Sequence, residues 1–126
     1  MRKARPARKA ATNSHMQSAG SAAQGTSAKT STKPRHHVWS KVELETLNPL
    51  LQRQVVTGTK IMLARVLLKK GCVVPLHSHH NEQLSYVIEG SLKFAMGKEV
   101  VTVRAGEVLT IPPHVPHEVR ALRATQ

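Results

Sequence analysis

Five of the eight histidines lie within residues 77–117, and three of them stand at spacings that suit a metal. His77 and His79 are two apart. On an extended strand such neighbours point to one face, so both imidazoles can aim at one point. Gln83 follows four residues beyond His79, after His80 and Asn81 turn the chain. His117 comes from a distant stretch, behind Pro112, Pro113 and Pro116, whose rings fix φ and stiffen its approach. Imidazole nitrogen suits zinc, copper, iron and nickel, and an amide oxygen also suits manganese. Three histidines and a glutamine are all neutral, so a divalent ion held by them would keep its full charge and favour Lewis-acid chemistry. The expectation is one divalent metal (Mn, Fe, Ni, Zn or Co) on His77, His79, Gln83 and His117. Glu82 is the rival to Gln83; one residue earlier, it would face the opposite side. His36, His37 and His80 read as surface residues.

Short β-type runs must position these side chains. Runs at 59–68, 83–88, 91–96, 99–104, 107–111 and 117–122 are separated by Gly or Pro at nearly every break. That rhythm signals an all-β sandwich or barrel. Gly97-Lys98 joins two runs tightly enough for a hairpin. On the run from Gln83, Ser85 and Val87 share its face, and the small Ser85 leaves room for a ligand. Arg65 alternates with Ala64 and Val66 and so faces away from the cavity those two would line. One short helix is expected at 42–47, with Trp39 just before it covering the outside of the barrel.

Charge divides the chain. Residues 1–36 carry 8 of the 19 basic residues and no acid, whereas residues 37–126 hold all 7 acids and a net charge of +4. The first segment has no aromatic residue and too little apolar surface to offset the entropy of ordering, so it is expected to be a disordered basic tail. Its charge would support only non-specific contact with nucleic acid. Its Arg- and Ser-rich composition resembles a transit peptide, and Met16 offers an alternative start. No apolar run after the basic start suits a secretory signal, and none is long enough to span a bilayer. The single cysteine, Cys72, excludes an intrachain disulfide and fits a reducing cytoplasm.

Two motifs carry a family resemblance. Gly71-x5-His77-x-His79-x3-Gln83-x6-Gly90 resembles the first cupin motif, with Gln where many members have Glu. Gly106-x5-Pro112-x4-His117 resembles the second, with His114 in place of a usual glycine. The resemblance implies a jelly-roll barrel over residues 37–126, a metal inside its mouth, a small-molecule ligand and a homodimer. The stretches 77–83 and 111–117 look most like the pectin- and alginate-degradation cupins, which open unsaturated uronates to linear keto sugars. This implies a metal-assisted ring opening of a sugar acid. In that subgroup a further C-terminal strand bears an Asp, a Phe and an Arg implicated in catalysis. This sequence holds no Asp and stops soon after the second motif. The expectation is therefore a missing strand, with truncation, residues 37–50 or a second subunit as competing accounts, and metal binding with impaired catalysis. A metal-dependent oxygenase and a non-catalytic small-molecule binder are the alternative functions.

Overall fold

The computed structural model describes residues 33–126. Most of the expected basic tail lies outside the described residues. The rest is almost entirely β. Its strands are β1 (Glu45–Asn48), β2 (Leu51–Thr57), β3 (Met62–Leu68), β4 (Val73–His77), β5 (Gln83–Tyr86), β6 (Ser91–Met96), β7 (Glu99–Arg104), β8 (Val108–Ile111) and β9 (His117–Ala121). They pair in the orders β1-β2-β3, β4-β9-β6-β7 and β5-β8. The result is a jelly roll whose core lies between these sheets, with Leu51, Leu68, Val74, Val87, Leu92, Phe94, Ile111 and Val119 buried in one cluster.

Local chemistry accounts for the elements. Gly97 has φ 62 at the first central position of the two-residue turn between β6 and β7, which glycine adopts without strain. Alternation buries Leu92 and Phe94 on β6 and Val119 and Ala121 on β9. His117 shares the parity of those two β9 residues, so it too points inward.

The helix expected at 42–47 does not form. A single 3-10 turn covers Trp39–Lys41, and β1 follows it. Pairing decides this: Glu45 sits opposite Arg53 of β2 and binds its guanidinium at 2.6 Å. Trp39 is half-buried, and its carbonyl accepts a hydrogen bond from Gln54 Nε2 at 2.7 Å. Gln54 Oε1 in turn accepts from Arg65, which also donates to Gln126 Oε1. Arg65 is thus engaged on the outer face, while Val66 packs against the core.

Residues 37–50 do not fill the place of the expected further strand, because β1 pairs on the far side of β2. Among the described residues, only the end of the chain lies between β3 and β5. Thr125 bridges Leu68, and Gln126 exchanges backbone hydrogen bonds with Ile88 and Glu89.

Candidate metal centre

A slip in register aims the first histidine. Val74 pairs with Val119 but His77 pairs with His117, so β4 holds one extra residue between these pairs. Without that bulge the parity of buried Val74 would turn Leu76 inward and His77 out. Instead Leu76 is exposed and His77 faces the barrel interior beside His117. Pro75 occupies the bulge, a place where the missing N–H costs no ladder bond.

His79 is not on the strand. It follows the end of β4, so the parity argument for the His77–His79 pair does not hold. The turn positions it instead. His114 N–H donates to the His79 carbonyl at 2.8 Å, tying this turn to the proline-rich loop before β9. His114 makes that contact at φ 65, a left-handed conformation at the place where the resemblance led us to expect glycine.

The three rings meet. Centroids are 4.3 Å apart for His77 and His117, 5.2 Å for His79 and His117, and 5.7 Å for His77 and His79. One ligand nitrogen from each lies within 4.8 Å of the others. Nitrogens bound to one ion at about 2.0–2.1 Å would sit about 3–3.5 Å apart, so a contraction of about 1 Å at the widest pair closes the cluster.

Tautomers are set by backbone. Nδ1 of His77, His79 and His117 each lies 2.8 Å from a carbonyl, those of Pro75, Asn81 and Val115. A carbonyl only accepts, so each Nδ1 carries a proton and donates. Each neutral ring then presents the Nε2 lone pair. Buried His117 Nε2 has no hydrogen-bond partner, an orphan that a coordinated cation would satisfy. Burial holds the His117 pKa below the usual histidine value; its bond to Val115 opposes this, and His77 and His79 add to it. The ring therefore stays neutral, the form that ligates.

Gln83 completes the arrangement. Its Nε2 donates to Ser85 Oγ at 2.9 Å, which turns Oε1 to within 3.0 Å of His79 Nε2. With His79 Nδ1 protonated, these two acceptors face one another, and a shared cation would relieve their repulsion. Glu82 is exposed, and no carboxylate joins the cluster among the described residues. The residues present fit a divalent metal. Spacing pointed to His77, His79, Gln83 and His117; it missed the supporting roles of Pro75, Asn81, His114 and Val115, which act through backbone and leave only a trace of proline in the sequence.

The chain was compared with known proteins. The cupin domain family matches residues 64–125. An uncharacterised protein of Methanocaldococcus jannaschii is 30% identical over 74 residues, and the chain spans about six-tenths of that relative's length, 59% against 58% of its own. Among solved structures, an RmlC-like cupin from Shewanella frigidimarina superposes with a TM-score of 0.68 at 24% identity, covering 74% of this chain and 85% of that one. KdgF from Halomonas sp. gives 0.68 at 23% identity, over 74% and 86%. An oxalate decarboxylase from Bacillus subtilis gives 0.65 at 19% identity, over 79% of this chain and 29% of that one. With its jelly roll and both motifs in place, the chain belongs to the cupin superfamily.

Proposed function

We propose that this cupin holds one divalent metal on His77, His79, His117 and Gln83 and uses it to bind a small sugar acid. The observation that carries the reading is the convergence of three Nε2 lone pairs, each fixed by its own Nδ1–H to a carbonyl, around a buried atom with no partner. A neutral donor set leaves a bound ion its full charge, which polarises substrate oxygens. Ser85 and Gln83 on the inner face of β5 would orient the ligand beside it. Structural likeness to KdgF, together with the motif resemblance, supports an unsaturated uronate as that ligand. Imidazole and the Ser85 hydroxyl are the proton carriers at hand, since no carboxylate joins the cluster among the described residues. We expect ligand binding with slow ring opening.

The test is calorimetric titration of the metal-loaded protein with a 4,5-unsaturated uronate, with loss of the C4=C5 ultraviolet absorbance followed in parallel. Binding that disappears in His79→Ala supports the reading. Absence of binding by a metal-loaded sample overturns the sugar-acid assignment. Oxygen consumption dependent on Fe(II) would point to an oxygenase instead.

A further inference from the structure

The gap between β3 and β5 has chemistry of its own. Leu68 and Thr125 exchange both backbone hydrogen bonds, at 2.8 and 2.9 Å. In an antiparallel strand the groups facing one neighbour alternate, so Val66, Ala64 and Met62 also turn N–H and C=O toward the gap. On the other side, Val87 bonds to Glu107 and Gly106, whereas Ile88 donates to Gln126. Tyr86 and Leu84 therefore turn theirs into the gap as well. None of these five has a backbone partner there among the described residues. The space at the Thr125 end is one strand wide, about 9.5 Å between flanking strands.

Beside the gap the sheet is apolar. Leu63, Leu84, Tyr86, Ile88 and Val108 are each more than half exposed on its outer face. A monomer seldom leaves both an unpaired edge and such a face to water. A lone peptide would pair the edges but leave the face bare, whereas a folded partner covers both. Exposed Lys60 stands near one end of the gap and exposed Glu89 at the other, so a two-fold arrangement sets opposite charges against each other.

We infer that a second copy of this chain docks over the β3–β5 gap and the apolar face beside it, pairing with the exposed strand edges. This is independent of the metal.

The test is sedimentation equilibrium of the full chain with amide hydrogen exchange at low and high concentration. The expected result is a dimer in which the amides of Ala64, Val66, Leu84 and Tyr86 gain protection as it forms. Tyr86→Glu and Val108→Glu should each weaken association by about 30-fold or more, as expected for a charge buried at an interface. Val100→Glu, on exposed β7 away from this face, should leave association unchanged. A monomer throughout overturns the inference. So does a dimer insensitive to both substitutions, or equal protection of these amides in the monomer.

Discussion

At the scale of the residue, the site depends on which nitrogen of each imidazole is free. His79→Ala should remove a ligand and lower metal affinity by about 100-fold or more. Gln83→Ala should cost less, about 10-fold, because an amide oxygen is the weakest donor of the set. Competition with a chromophoric chelator measures both, and equal losses would contradict the ranking. His117 also links folding to pH. Its folded pKa is lowered, chiefly by burial, so near pH 6.5 the unfolded chain binds more protons than the folded one. Stability of the metal-free protein is therefore full above about 6.5 and falls as pH drops through that value toward the lowered one. Urea midpoints from about pH 8 to about pH 5 should decline, and the decline should be smaller in His117→Gln if that variant folds. Burial likewise raises the pKa of the Cys72 thiol, so it should resist alkylation until the protein unfolds.

At the scale of the element, the bulge in β4 and the turn at Gly90 matter most. Gly90 has φ 89, and a Cβ there would strike the Ala124 carbonyl and Thr125. Gly90→Ala should cost about 2 kcal/mol or more, read from a denaturation midpoint. Glu45→Gln should cost roughly 1–2 kcal/mol by leaving the buried Arg53 guanidinium without its ion pair; no loss would show that Arg53 reaches water. Strands from residue 62 onward were mostly legible, since Gly or Pro marks their ends. β1 and β2 were not. β2 carries Gln52, Arg53 and Gln54 in a row, which hides its alternation. Arg53 is tolerated inside only through Glu45, and Gln54 only through the carbonyls of Trp39 and Val42. Such partners come from the tertiary fold and leave no periodic signal. The histidine site was legible in its members but not in its means: a bulge aims His77 and a turn holds His79, where simple strand parity had placed both.

At the scale of the molecule, one core supports both the barrel and the centre at its mouth. Phe94, fully buried on β6, faces the same interior as Val119 and Ile111. Phe94→Ala should cost about 3–5 kcal/mol of stability. The histidines lie on β4, β9 and the turn after β4, so the cluster forms only when the β4–β9 pair is in register. Metal should therefore stabilise the fold, and a chelator should lower the thermal midpoint of the loaded protein. The claim on which the functional account rests is that the centre holds one ion. Elemental analysis of purified wild type and His79→Ala, each after reconstitution with divalent metal and removal of excess, tests it most directly. The account predicts close to one equivalent in the wild type and little in the variant. A folded wild type that retains none, or a variant that retains as much, would contradict it.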